Sequence, residues 1–374
     1  MSKRARVRNV KALVYILALL MVADGILSSY IALRAPYPAA VPLGSPMAYR
    51  NVYLHVPIAW ATYVLFIIAF ILSILYLVTQ DKKYDKYAAL FVYTALVYAF
   101  MVLATGSAWA QESWGSFWNW DPRETGVLIL FIAYLVYVAI RKSVQDPDRR
   151  ATISAVYSIA AFATVPISFI MPYVMEGSLH PTLQATKGFI TQPQVSKFFF
   201  AKVLLTVIEA VLIPVVVGMG YSREFFKAAV ATAAILLVGA ALAYPWGLTG
   251  RVVEAKLQSG TAELTAIYKG EKIKIKGSLE LVINNNGQKI KVVVKDTEGL
   301  PKPEFVTVPG FAKGSNLTVN YEGRELWPTA LGHLVKVENE RAVALNPFCI
   351  PWTLFIYAIG FLILAYVLPR EIAY

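Results

Sequence analysis

Eight stretches of this sequence are each long and apolar enough to cross a lipid bilayer, and that pattern leaves few folds open. A hydrocarbon core about 30 Å thick takes roughly 20 helical residues at ~1.5 Å each. The stretches are Ala12–Leu33, Val52–Thr79, Tyr87–Ala110, Thr125–Ile140, Ala151–Val174, Phe198–Gly220, Ala228–Pro245 and Ile350–Leu368. In lipid, every backbone amide must find its partner within the spanning structure, so such runs become helices. The fourth is short and is expected to borrow residues from the segment before it. The first carries too long an apolar run, without a clean cleavage site, to be a removed signal peptide. Composition agrees: 57% of the 374 residues are hydrophobic and 16% charged, against about 45–50% and ~25% in soluble domains. An ordinary soluble enzyme, a disordered tail and a collagen-like fibre are excluded.

The net charge is +12. In a soluble chain that would suggest nucleic acid; here it reports orientation, because Lys and Arg collect in cytoplasmic loops. The N-terminus, the loops after the second, fourth and sixth runs, and the tail hold 15 Lys and Arg, against five in the alternate short loops. Both termini are therefore expected in the cytoplasm. The segments 34–51, 110–124 and 175–197 are expected on the outer side of a multi-pass cell-membrane protein.

Residues 246–349 follow a different rule. Apolar and polar residues alternate in Lys272–Ile275 and Gln288–Lys295, and Asn284-Asn285-Asn286-Gly287 supplies a turn before the second run. That is a hairpin signal. Further strand-like runs are Leu317–Tyr321 and Leu334–Glu338. The fold class expected is an all-α polytopic membrane protein with a small extracytoplasmic β-barrel-like domain inserted before the last helix. Asn316-Leu317-Thr318 is a glycosylation sequon within it.

Four of the eight tryptophans, Trp109, Trp114, Trp118 and Trp120, fall within twelve residues, and Asp121 and Arg123 follow. One reading is an interfacial aromatic belt. The other is a flat apolar shelf for a large planar ligand, with Asp121 and Arg123 at its edge. There is one cysteine, Cys349, so no disulfide, CxxC pair or cysteine zinc site forms within the chain. There are three histidines, and two of them, His55 and His180, fall on the outer side with the tryptophan loop. A lone histidine is ordinarily a satisfied polar residue. Two neutral imidazoles on opposite faces would also hold a haem iron six-coordinate. The tryptophans would then stack on the porphyrin. Arg123, with Arg50 or Lys187, would pair with its propionates.

The stretch WGSFWNWDPRET, residues 114–125, resembles the tryptophan-rich WWD signature of the haem-handling proteins of cytochrome c maturation, the CcmC, CcmF and CcsA family. YLHVPIAW (53–60) and ATGSAW (104–109) look like the flanking segments of CcmC, and His180 falls where that family has its second outward histidine. The WDPRET ending is closer to CcsA and CcmF; the absence of further histidines within the spans favours CcmC. The resemblance covers about residues 10–220. It implies haem b bound at the outer face, with His55 and His180 as axial ligands and Trp114, Trp118, Trp120, Asp121 and Arg123 as the platform. It also implies delivery to a CcmE-like haem chaperone, with ATP-binding-cassette subunits of the maturation system as further partners. A cytochrome c synthase attaching haem to apocytochrome, and a haem transporter, are the alternatives. The division expected is a six-helix haem-handling domain at 1–225, a seventh span at 226–247, the β-domain at 248–346, and the eighth span with its tail at 347–374. The last three depart from the family. His333 is read either as a haem-attaching residue or as an exposed β-domain histidine, and the β-domain as a docking or lid element.

Three charges fall inside spans: Asp24, Lys202 and Glu209. Lys202 is expected to snorkel outward, and Glu209 to serve either function or interhelical packing. Pro166 and Pro172 are expected to kink the fifth span and aim the His180 loop. No P-loop, dinucleotide fingerprint or Ser-His-Asp set appears.

Overall fold

The computed structural model describes residues 3–35, 48–114, 116–175, 178–181, 187–188, 190–244 and 348–372, together with strand segments between 251 and 344. Nine helices are described: α1 (Lys3–Arg34), α2 (Val52–Thr79), α3 (Lys82–Trp114), α4 (Pro122–Ser143), α5 (Pro147–Ala161), α6 (Thr164–Val174), α7 (Pro193–Gly218), α8 (Ser222–Ala243) and α9 (Cys349–Ile372). They supply eight helical segments long and apolar enough to cross a membrane, with α5 and α6 together making one. The chain is a multi-pass membrane protein.

The breaks between helices follow from local sequence. After α2, Gln80 takes a left-handed conformation (φ 57°) and its amide bonds the Tyr76 carbonyl. That closes the helix and turns the chain into α3 within two residues. The fourth span does borrow from the segment before it, taking in Pro122–Glu124, and it also extends past Ile140 to Ser143. Asp121 starts α4 at Pro122, and the helix runs 22 residues. The fifth span is interrupted at Phe162–Ala163, between α5 and α6. Phe162 lies four residues before Pro166, where a proline ring crowds the carbonyl and leaves it without an amide donor.

α3 is the central helix, with most of its length buried. It packs against α2 and α9, while α8 fits between α1 and α9 and α7 lies against α2. Phe66 of α2 and Tyr134 of α4 stack with centroids 4.0 Å apart. Lys202 does not snorkel. It is fully buried, and its Nζ donates to Asp24 Oδ2 at 2.6 Å, Asp24 Oδ1 at 2.7 Å and Thr206 Oγ1 at 2.9 Å. A cation this deep in an apolar bundle is tolerated because a carboxylate from α1 meets it. Glu209 is buried as well and accepts a long bond of 3.4 Å from the Tyr98 hydroxyl.

The expected β-barrel-like domain is not supported. The described strands form an open six-stranded sheet of order β5-β4-β1-β10-β9-β6 and two separate two-stranded ribbons, β2-β3 and β7-β8. The six are β1 (Arg251–Lys256), β4 (Leu279–Asn285), β5 (Gln288–Val294), β6 (Phe305–Val308), β9 (His333–Glu338) and β10 (Arg341–Ala344). The ribbons are β2 (Ala262–Tyr268) with β3 (Glu271–Gly277), and β7 (Val319–Tyr321) with β8 (Arg324–Leu326). Among the described residues, no ladder joins the edge strands β5 and β6, so the sheet is not closed as a barrel requires. The alternation that reveals strands does not reveal whether their edges meet. The β4–β5 pairing puts Asn285 opposite Gln288, the spacing of a two-residue hairpin. Its turn residues Asn286 and Gly287, the sequon Asn316 and the His333 side chain lie outside the described residues.

Candidate functional site

The tryptophan loop, both remaining histidines and Arg123 converge at one end of the bundle. The N-terminal ends of α2 and α4, the C-terminal end of α3 and the segment after α6 meet there. Asp121 organises that junction. As N-cap of α4, its Oδ1 accepts the Arg123 amide at 2.8 Å, and Glu124 accepts the amides of Asn119 at 2.9 Å and Asp121 at 3.4 Å. This is a capping box, with Pro122 at the first helical position. The same carboxylate also clamps the distant loop. It accepts from Ser178 Oγ at 2.9 Å, the Leu179 amide at 2.6 Å and His180 Nδ1 at 2.6 Å. Burial acts to raise the Asp121 carboxyl, but the hydrogen bonds from His180, Arg123 and Leu179 outweigh it and hold the group below the usual carboxylate range. Burial lowers His180 from its usual 6.5, against the pull of Asp121. The pair at neutral pH is therefore a carboxylate and a neutral imidazole. Its Nδ1 carries the proton, and Nε2 keeps its lone pair.

His55 reaches the same tautomer by another route. Its Nδ1 lies 2.8 Å from Thr105 Oγ1, and the Thr105 hydroxyl itself donates to the Met101 carbonyl at 2.7 Å. With that proton committed, the hydroxyl accepts from Nδ1–H, and Nε2 again keeps its lone pair. The ring lies over Gly106, where a Cβ would come within 2.9 Å of Cε1. Only glycine lets the imidazole lie this close to α3. Trp109 meets the ring edge-on at 5.6 Å. His180 and Arg123 lie near His55.

The tryptophans do not make one flat shelf. Trp114 meets His180 at 4.9 Å with the planes 67° apart, and Trp118 and Trp120 cross at 88°. They form a faceted apolar wall. Trp120 is 73% exposed and sits at φ 55°, a conformation that costs a bulky residue about 1–2 kcal/mol. Arg123 lies over the rings of Tyr173 (5.2 Å) and Phe169 (5.6 Å) of α6 and donates weakly to the Phe169 carbonyl at 3.5 Å. Its Nε is buried without a partner among the described residues. A guanidinium so held is fixed by its faces and keeps donor capacity for an anion. Of the other expected cations, Arg50 is buried and donates to the Ala32 carbonyl at 3.0 Å, and Lys187 is exposed.

Several of these residues escaped the sequence reading. Thr105 and Gly106 lie inside the quoted ATGSAW segment, yet their roles depend on α2 crossing α3 at His55. Glu124 was legible, because Asp-x-x-Glu before an apolar run is a capping-box pattern. Ser178, Phe169 and Tyr173 carry no local signal.

The comparisons with known proteins fall on this part of the chain. Residues 1–180 match the family described as cytochrome C assembly protein. Within it, the chain is similar to CcmC. A protein named heme exporter protein C from Bradyrhizobium diazoefficiens is 35% identical over 118 residues, 32% of this chain and 45% of the relative. The heme exporter protein C of Escherichia coli K12 is 29% identical over 120 residues, 32% and 49% of the two chains. A putative cytochrome c biosynthesis ccmC-like mitochondrial protein of Marchantia polymorpha is 30% identical over 119 residues, 32% and 50%. The chain spans about half the length of the curated relatives it matches.

Proposed function

We propose that the chain handles haem in cytochrome c maturation. In this reading it binds haem b at the extracytoplasmic face and delivers it to a CcmE-like chaperone, alongside ATP-binding-cassette subunits of the maturation system. His55 and His180 are the axial ligands. Trp114, Trp118 and Trp120 wall the macrocycle, Asp121 holds His180, and Arg123 pairs with a propionate. The relatives' names speak of heme export and cytochrome c biosynthesis, and the matching family's of cytochrome c assembly.

The observation that carries the reading is the matched state of the two imidazoles. Each has Nδ1 tied by a hydrogen bond, to Thr105 in one case and Asp121 in the other. Each therefore offers Nε2 as a neutral donor, oriented by its neighbour as metal-bound histidines are. Among the described residues, no three or more His, Cys, Asp or Glu converge as a site for a bare ion. Two imidazoles suit an iron already held by four porphyrin nitrogens. When bound, haem would supply an iron centre; His55 and His180 would hold it, the tryptophans would flank it, and the orphaned Arg123 donor would meet a propionate.

Residues 1–225 are assigned to this work, 226–247 to a seventh span, 248–346 to an extracytoplasmic insertion and 347–374 to the last span. The termini are assigned to the cytoplasm. The test is optical. Purified protein supplied with hemin and then reduced should give a low-spin, b-type, bis-imidazole spectrum, weakened or converted in His55→Ala and in His180→Ala. An unchanged spectrum in both variants refutes the ligand assignment.

A further inference from the structure

The last helix, α9, follows the strand region and lies outside the family match, yet it grips the backbone on either side of His55's cradle. Trp352 Nε1 donates to the Ala104 carbonyl at 3.1 Å, one residue before Thr105. The Tyr357 hydroxyl donates to the Leu54 carbonyl, one residue before His55. The Phe348 amide donates to Glu112 at 3.0 Å, near the end of α3. Gly360 receives Met101, whose sulfur lies within 2.2 Å of where a Cβ would stand, and the Met101 carbonyl accepts the Thr105 proton. Tyr357 is 2% exposed and Trp352 half-buried.

Two of these bonds go to carbonyls of intact helices, whose main bonding is already provided within α2 and α3. They add little to helix formation. Their effect is to fix the rotation and separation of α2 and α3 at the level where the His55 ring must lie over Gly106. A small displacement there breaks the 2.8 Å contact to Thr105 or drives the ring into α3.

We propose that Trp352 and Tyr357 are positioning residues for the iron ligand His55, so that a helix outside the cytochrome C assembly match completes the haem site within it. This rests on the reading of His55 as an axial ligand. Removing either donor frees the imidazole to swing, which lengthens or breaks one axial bond while the other, at His180, persists.

The experiment uses the full-length protein in detergent or nanodiscs, supplied with hemin. Tyr357→Phe keeps the ring and removes only the donor; Trp352→Phe removes the donor and leaves a smaller aromatic ring. Each is expected to raise the high-spin fraction of the ferric spectrum and speed haem loss by about threefold to tenfold, the scale of one neutral hydrogen bond. Added imidazole should restore the low-spin spectrum of both. Leu364→Ala, deeper in the same helix and fully buried, should lower the melting temperature and leave the spectrum unchanged. Wild-type spin state and haem release in both donor variants overturn the proposal; so does a Leu364→Ala spectrum that shifts as theirs do, because the effect is then general loosening. A wild-type protein that binds no haem, or a His55→Ala variant with the wild-type spectrum, overturns the ligand reading itself, a result separable from the others.

Discussion

Replacing Asp121 by Asn separates its two jobs. Asn is as good an N-cap as Asp, and its amide oxygen can still accept the Arg123 amide, so α4 should begin where it does now. The distant side of the clamp is only half preserved: Oδ1, which accepts the Arg123 amide, also faces His180 Nδ1, while the NH2 takes the place of Oδ2, the acceptor for Ser178 Oγ and the Leu179 amide. Ser178 Oγ, the Leu179 amide and His180 Nδ1 all donate to the carboxylate, at 2.9, 2.6 and 2.6 Å. An Asn side chain presents an NH2 to at least one of them. One buried donor left facing another costs about 1–3 kcal/mol. With the loop at Leu179 displaced and the carboxylate facing His180 replaced by a neutral amide, the outer-shell support of that histidine is disrupted, a change that lowers metal affinity by about 10–100-fold, or roughly 1.4–2.8 kcal/mol. The expected result is hemin affinity down by that factor, a weakened low-spin signal and nearly unchanged helix content. Asp121→Ala should add about 1 kcal/mol through loss of the cap. Hemin titration followed by tryptophan quenching, with circular dichroism for the fold, measures both quantities. Asp121→Asn affinity within twofold of wild type, with an unaltered spectrum, would refute the clamp.

Three further outcomes are expected. Lys202→Met strands Asp24 in the bundle and should destabilise it by about 3–5 kcal/mol, with Asp24→Leu in the same chain restoring much of the loss; thermal unfolding in detergent checks this, and a single variant as stable as wild type contradicts it. Gly106→Ala places a methyl within 2.9 Å of the His55 ring and should shift the haem spectrum while the helices persist; an identical spectrum removes the cradle argument. His180 sits below 6.5 when folded and returns toward 6.5 when unfolded. Its contribution to stability is therefore full above about 6.5 and declines as pH falls through the interval below it. Haem ligation should survive acidification past 6.5 before it fails, and a ligation midpoint at or above 6.5 in an optical pH titration opposes the assignment.

The spans were legible because lipid imposes one rule on all of them, and a run of twenty apolar residues has one outcome. The convergence of His55, His180 and the tryptophan loop was legible through side-of-membrane counting alone. What local sequence could not supply was contact across helices. That Asp121, the cap of α4, also clamps a loop 57 residues away has no trace in local sequence. Lys202 was sent to the surface, because a partner on α1, 178 residues distant, leaves no periodic trace. The tryptophans were pictured coplanar; their angles are set by backbone turns such as that at Trp120, which pattern does not encode. The barrel failed for the same reason, since alternation specifies strands and not the meeting of edges.

The placement of α9 bears on the order in which the protein is made. Haem handling is assigned to residues near the beginning of the chain, but the braces at Trp352 and Tyr357 leave the ribosome after more than three hundred others. A nascent chain that has inserted α1 to α8 holds both imidazoles and the tryptophan wall, with Leu54 and Ala104 not yet gripped. On the inference above, the firm seating of His55 would therefore arrive late in synthesis, once Cys349–Ile372 has inserted.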